Sequence, residues 1–169
     1  VGGDACILSR LESGIVCNNG PCWSPDNKTF YHTDTFKDEI YAYDYDIETG
    51  NISNKRVFIS TKDEPGVADG STVDAEGYYW NAQIIGGQLV RYTPEGEVDR
   101  RIQMPVRNIT SVMFGGENLD EIYVSSMARV DHPGSEDFFI KEDKPQPQAG
   151  GLFRVTGTGI KGLPETRFA

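Results

Sequence analysis

Two short motifs supply oxygen atoms with which this sequence could hold a metal ion. Asn19-Gly20 and Asp69-Gly70 each join an oxygen-bearing side chain to a glycine, fifty positions apart. An Asn amide oxygen and an Asp carboxylate suit Ca²⁺, Mg²⁺ or Mn²⁺, and a carboxylate also binds Zn²⁺. Both dipeptides lead into the first strand of a repeated unit and not into a hairpin tip, where such dipeptides are common. Their position therefore favours a metal site.

The two motifs open two copies of one repeated unit. Each copy continues through a polar turn, at 24–27 and at 74–77, and then enters an aromatic run. A weaker third copy begins at Thr110. Units of about 40–50 residues made of short strands and turns are typical of β-propeller blades. The innermost strand of a blade starts at the central channel, so we expect Asn19 and Asp69 to converge on one axis.

The hydrophobic pattern predicts strands along the whole chain. Residues 39–45 alternate strictly with the period of a strand, residues 88–92 and 98–103 are predicted strands on either side of a turn, and helical periodicity is nowhere sustained. Glycines and prolines fall largely at the breaks, as an all-β meander requires. Two short strands are also predicted before the first full unit, at 5–8 and 13–16.

The fold class that we predict is all-β, a β-propeller with about three blades in this chain. We treat residues 1–169 as a single partial propeller domain. Residues 131–148 are polar and Pro-rich, without a pattern, and are predicted to form a long surface loop.

The net charge and the cysteine content limit which partners and which cellular location we expect. The formal net charge is −10, so nucleic acid and anionic membrane surfaces would repel the chain, and we expect neither as a partner. No apolar run approaches the ~18 residues that suggest a membrane span. The cysteines Cys6, Cys17 and Cys22 are odd in number and form no Cys-x-x-Cys pair. We interpret them as reduced side chains, which is compatible with a cytoplasmic location.

Several runs occur in order along nearly the whole chain, namely Asn19–Asp26, Phe30–Thr35, Tyr43–Asp46, Asp69-Gly70 with Asp74–Gly77, and Ala149–Phe153. Together they resemble the gluconolactonase/senescence-marker-protein (regucalcin-like) family. The resemblance implies a six-bladed propeller that binds one divalent metal ion in its central channel and hydrolyses sugar lactones to aldonic acids. It assigns metal-ligand roles to Asn19 and Asp69, and Asp69 also becomes the candidate catalytic general base.

The resemblance covers the C-terminal half of a family chain. A further ligand, a Glu from the first blade of the family, has no counterpart here, and neither do its substrate-contacting side chains. We therefore expect the site to need a partner, either a missing N-terminal half or a second copy of this chain in a homodimer. The expected substrate is a sugar lactone, and the expected cofactor is one Ca²⁺ or Zn²⁺ ion, with Mg²⁺ and Mn²⁺ also open.

Some assignments stay open at this point. The alternative function is a non-catalytic module that binds a divalent metal or assembles with a partner on a half-propeller scaffold. In the family pattern, Thr110 and Ser111 enter their blade at the channel, where their hydroxyls either line the site or cap a strand. His32 is interpreted as a structural or surface residue, with catalysis as the alternative.

Overall fold

A computed structural model describes residues 8–128 and 146–164, and within them the chain folds into eleven β-strands and one short 3-10 helix, Thr35–Lys37. The strands are β1 (Asn18–Trp23), β2 (Thr29–Asp34), β3 (Glu39–Tyr45), β4 (Ile52–Ser60), β5 (Val67–Val73), β6 (Tyr79–Ile84), β7 (Gln88–Tyr92), β8 (Val98–Gln103), β9 (Ile109–Gly115), β10 (Glu121–Ser126) and β11 (Leu152–Val155).

The strands form three antiparallel sheets in chain order. The first blade is β1-β2-β3-β4, the second is β5-β6-β7-β8, and the third is β9-β10-β11. Each sheet is a meander in which neighbouring strands are consecutive in sequence, because short turns join antiparallel strands. The prediction of an all-β chain with about three propeller blades is confirmed.

The blades pack face to face through two hydrophobic cores. One core joins the first and second blades and includes Tyr31, Ile40 and Tyr79. The other joins the second and third blades and includes Trp80 and Ile122. Tyr79 and Trp80 are consecutive, so alternation along β6 sends one ring into each core. The central strands of the second blade are therefore buried on both faces.

The first strands of the three blades lie against one another. A β-carbon on Gly20 of β1 would lie 2.6 Å from the Oγ of Ser71 in β5. A β-carbon on Gly70 of β5 would lie 2.6 Å from the carbonyl oxygen of Thr110, in β9. Neither contact leaves room for a side chain, so these glycines allow the three strands to approach at the ends that carry the candidate ligands.

The short strand predicted at 13–16 is wrong. The chain has no regular secondary structure there, and β1 begins only at Asn18. The backbone N–H groups of Val16 and Cys17 donate to the Asp34 carboxylate at 3.0 and 3.1 Å instead of to a neighbouring strand. The end of this segment is thus held by hydrogen bonds to one buried aspartate and not by pairing with a neighbouring strand. The other predicted strand, at 5–8, lies almost wholly outside the described residues.

Two further predictions from the sequence concern the surface loop and membrane spans. Most of the loop predicted at 131–148 lies outside them, so that prediction stays untested. Within 8–128 and 146–164, no helix is long and apolar enough to cross a membrane.

Candidate metal centre

Asp69 is a partly buried carboxylate with no partner among the residues that the structure describes. Neither of its carboxylate oxygens accepts a hydrogen bond or pairs with a cation there. Burial raises the pKa of this carboxyl to about 6, because the charged form loses hydration without compensation. A carboxylate in this state is suited to accept a cation, since buried charges in proteins are normally paired or bound to metal.

The two fully buried aspartates of the described chain show the usual arrangement. Asp74 accepts hydrogen bonds from the Nε1 of Trp80, from Arg91 and from the backbone N–H groups of Glu76 and Tyr78. The ion pair between Arg91 and Asp74 measures 2.8 Å. Among the residues that the structure describes, no such donor reaches the Asp69 carboxylate, which marks Asp69 as the exception.

Asp34, the other buried aspartate, orders the segment that leads into β1. Burial would raise its pKa, but the N–H groups of Val16 and Cys17 and the ammonium of Lys37, at 3.4 Å, outweigh it and lower the pKa. This carboxylate therefore stabilises the fold just before Asn19.

We expect Asp34→Asn to destabilise the protein in a pH-dependent way. Because the folded pKa lies below the unfolded value of about 3.9, the wild-type advantage is complete above roughly pH 5 and disappears as pH falls through the folded pKa. Urea unfolding of both proteins from pH 7 to pH 2.5 measures this difference. Asp63→Asn, at an exposed aspartate, is the matched control, and an equal difference at every pH would contradict the role of Asp34.

Asn19 has a fixed amide nitrogen and an available amide oxygen. Its Nδ2 donates to the Oγ1 of Thr35 at 2.9 Å and points to the Sγ of Cys17 at 3.6 Å. No donor from residues 8–128 or 146–164 bonds to its Oδ1. Thr35 in turn donates to the carbonyl oxygen of Ala68, the residue before Asp69, at 2.8 Å. This chain of contacts brings the backbones that carry the two candidate ligands together.

Local irregularities in β1 and β5 occur at these same positions. In β1 the pairing with β2 shifts between Asn19 and Cys22, and Gly20 adopts a φ of +57°, which favours glycine. In β5 the pairing with β6 shifts between Ala68 and Ser71, so that Asp69 lies within the bulge. Bulges interrupt pairing and redirect side chains, and they are frequent beside functional sites.

The amide of Asn81, on β6, supports the bulge in β5. Its Nδ2 donates to the Oγ of Ser71 at 2.9 Å and to the carbonyl oxygen of Asp69 at 3.3 Å. The Oγ of Ser71 also accepts from the hydroxyl of Tyr79 at 2.7 Å. These bonds satisfy backbone that the bulge removes from the ladder.

The described residues hold no complete metal site. No group of three or more His, Cys, Asp or Glu side chains within them could hold a metal ion. Asn19 and Asp69 nevertheless fit a hard divalent cation, because each offers an oxygen to which no described residue donates. Their assignment as metal ligands, and of Asp69 as a catalytic base, stays a prediction.

The sequence also left open the roles of three further side chains, those of Thr110, Ser111 and His32. The Oγ1 of Thr110 and the Oγ of Ser125 are hydrogen-bonded at 2.9 Å, and the Oγ of Ser111 would lie 2.7 Å from a β-carbon on Gly70. His32 is buried, and its ring nitrogens lie within hydrogen-bond distance of the Asn18 side chain and of the Tyr43 hydroxyl. Burial lowers the pKa of His32, as does the charge of Lys55. These contacts give His32 a structural role.

The cysteines contribute no cross-link among the described residues. Cys17 and Cys22 are both free. Burial raises the pKa of the Cys22 thiol well above its ordinary value, so this side chain is an inert part of the core between the first two blades.

The sequence and the fold of this chain are similar to those of known proteins. Regucalcin of Gallus gallus is 39% identical over 167 residues, which are 98% of this chain and 53% of that protein. A solved luciferin-regenerating enzyme matches with a TM-score of 0.76 and 35% identity over 90% of this chain and 48% of its own. The structure of a calcium-binding protein, regucalcin, from Agrobacterium tumefaciens matches with a TM-score of 0.79 and 29% identity, covering 92% of this chain and 50% of its own.

As the resemblance in the sequence implied, the chain spans about half the length of the curated relatives that it matches. The model of the region named SMP-30/gluconolactonase/LRE-like matches residues 2–128. The chain therefore belongs to the SMP-30/gluconolactonase/LRE-like family.

Proposed function

We propose that this chain contributes Asn19 and Asp69 to the divalent-metal site of a hydrolase that opens sugar lactones to aldonic acids. The observation that supports this most directly is the Asp69 carboxylate, which is partly buried, has no partner among the described residues, and has a pKa raised by burial alone. Family membership supplies the lactonase chemistry, and the convergence of β1 and β5 brings the segments that carry both side chains together.

The two side chains would have different roles. Asn19 offers a neutral oxygen that helps to set the position of the cation without adding charge. Asp69 offers the negative charge, and it could also orient or deprotonate the attacking water as a general base. A divalent cation bound there would polarise the lactone carbonyl and lower the pKa of a water molecule.

The oxygen ligands favour a hard cation. Carboxylate and amide oxygens suit Ca²⁺, Mg²⁺ and Mn²⁺, whereas Zn²⁺ more often takes nitrogen or sulfur ligands. The Agrobacterium tumefaciens relative is described as a calcium-binding protein. We therefore expect Ca²⁺ first and keep Zn²⁺ as the alternative.

Exposed apolar side chains on the outer faces of the first and third blades support the need for a partner that completes the ring. On the first blade, Trp23 and Val57 are 40% and 52% exposed, and on the third blade Leu152 is 72% exposed. Propellers close with about four to eight blades. We propose that a further segment of the same protein or a second copy of this chain covers these faces and adds the remaining ligands.

Sedimentation of the purified protein together with metal analysis tests this assembly. We expect a particle larger than 18.7 kDa with at least one bound divalent ion per ring. A dispersed 18.7 kDa monomer that binds no metal would contradict both forms of the partner proposal.

The enzymatic proposal is tested by assaying a panel of aldonolactones with the assembled protein. Chelation should abolish hydrolysis, and re-addition of Ca²⁺, Zn²⁺, Mg²⁺ or Mn²⁺ one at a time should identify the ion that restores it. A protein that binds the ion but opens no lactone would instead be a metal-binding module. Hydrolysis that persists in the metal-free protein would contradict the proposed chemistry.

A further inference from the structure

Thr35 connects the backbones of the two candidate ligands. Its buried side chain lies at the start of the 3-10 helix that follows β2. The Oγ1 donates to the carbonyl oxygen of Ala68 at 2.8 Å and accepts from the Nδ2 of Asn19 at 2.9 Å. The backbone N–H of Thr35 donates to the carbonyl oxygen of Cys17 at 3.0 Å. Thr35 is thus bonded to the residue that precedes Asp69 and to Asn19 itself.

The single hydroxyl proton of Thr35 determines which end of the Asn19 amide faces it. A backbone carbonyl oxygen only accepts, so the proton of Thr35 is used in the bond to Ala68. The Oγ1 must then accept from Asn19, and only the NH₂ end of the amide can donate. The Oδ1 of Asn19 is therefore the end that is left for a ligand.

We propose that Thr35 is a positioning residue that presents the Oδ1 of Asn19 as a metal ligand and fixes its spacing from Asp69. This inference rests on the proposed function, in which Asn19 and Asp69 bind the same cation. Without the hydroxyl, the Asn19 amide would lose the bond that selects its orientation, and the Ala68 carbonyl would lose its side-chain donor. Outer partners of metal ligands typically contribute about 10–100-fold to metal affinity.

Calorimetric titration of the assembled protein with Ca²⁺, and separately with Zn²⁺, tests the role of Thr35. Thr35→Val keeps the shape of the side chain and removes its hydroxyl, so we expect the dissociation constant to rise about 10–100-fold. Thr35→Ser restores the hydroxyl and should return the affinity to near the wild-type value. Asp69→Asn is the reference for a lost ligand.

Thr33→Val is the matched control for this titration. Thr33 is buried on β2, two residues before Thr35, and its hydroxyl lies 3.4 Å from that of Tyr79. Among the described residues, that hydroxyl forms no bond to the Asn19 side chain. The control should change the free energy of unfolding without changing the affinity for the cation. A purely structural role for Thr35 would give the same result as this control.

The outcomes separate the two proposals. If Asp69→Asn loses the cation while Thr35→Val keeps the wild-type affinity, the inference about Thr35 is wrong and the proposed function stands. If the wild type binds neither cation, or Asp69→Asn binds as tightly as the wild type, both are overturned. If Thr35→Val does not fold, a structure of the cation-bound wild type decides. An Asn19 amide that does not touch Thr35 in that structure would overturn the inference.

Discussion

Asp69→Asn should reduce lactone hydrolysis by about three orders of magnitude while the protein remains folded. General acid–base groups alone typically contribute about 10²–10⁴-fold, and here the same carboxylate is also proposed to bind the cation. The change is nearly isosteric and removes a carboxylate that has no partner among the described residues. Its loss therefore breaks no hydrogen bond or ion pair of the described fold, and relief of an unpaired buried charge should leave stability equal or higher.

The measurement is kcat/KM for a responsive aldonolactone, followed by acid release, together with thermal unfolding of each variant. Asp63→Asn makes the same chemical change at an exposed site between β4 and β5, and should leave both quantities unchanged. An Asp69→Asn protein with activity within a few-fold of the wild type would remove Asp69 from the mechanism.

Asp74→Ala should lower the free energy of unfolding by about 3–5 kcal/mol, the usual effect of removing one partner from a buried ion pair. Asp74 and Arg91 are both almost fully buried, with 0% and 3% of their side chains exposed. The substitution would leave the Arg91 guanidinium without its most buried partner and the indole N–H of Trp80 without an acceptor. It would also release the turn that joins β5 to β6.

Urea unfolding at neutral pH measures the effect of Asp74→Ala. Asp99→Ala is the matched control, because Asp99 pairs with the same Arg91 at 3.1 Å but is 28% exposed and should contribute about 1 kcal/mol or less. Equal losses for the two variants would show that burial of the pair does not determine its contribution.

Much of the fold follows from local patterns in the sequence. The predicted strands at 39–45, 88–92 and 98–103 have the same bounds as β3, β7 and β8. These segments lie between clear turns, so alternation and turn residues carry enough information to place them. The approach of the first strands was also expected from the sequence, because the innermost strand of each propeller blade starts at the central channel.

The contacts that position the candidate site could not be predicted in this way. Asp34 fixes Val16 and Cys17 from eighteen and seventeen residues away, and Thr35 contacts Ala68 thirty-three residues away. Such bonds join side chains to backbone across turns and between blades, and they leave no period in the sequence. A threonine after a buried strand therefore gives no sign that it holds a candidate ligand.

Membership of the family that the sequence resembles is confirmed. The proposed metal site, however, needs more ligands than Asn19 and Asp69 provide. In the proposed site, Asn19 and Asp69 would provide two oxygen ligands, whereas a Ca²⁺ site needs about six to eight. Water, substrate and the proposed partner would supply the others.

Anomalous diffraction from crystals of the assembled protein grown with Mn²⁺ or Ca²⁺ tests the central claim most directly. We predict one strong peak within about 2.0–2.6 Å of both the Oδ1 of Asn19 and a carboxylate oxygen of Asp69, the usual range for divalent cations and oxygen ligands. A peak at a different place would contradict this claim. So would a structure of the active protein in which the two oxygens point away from each other.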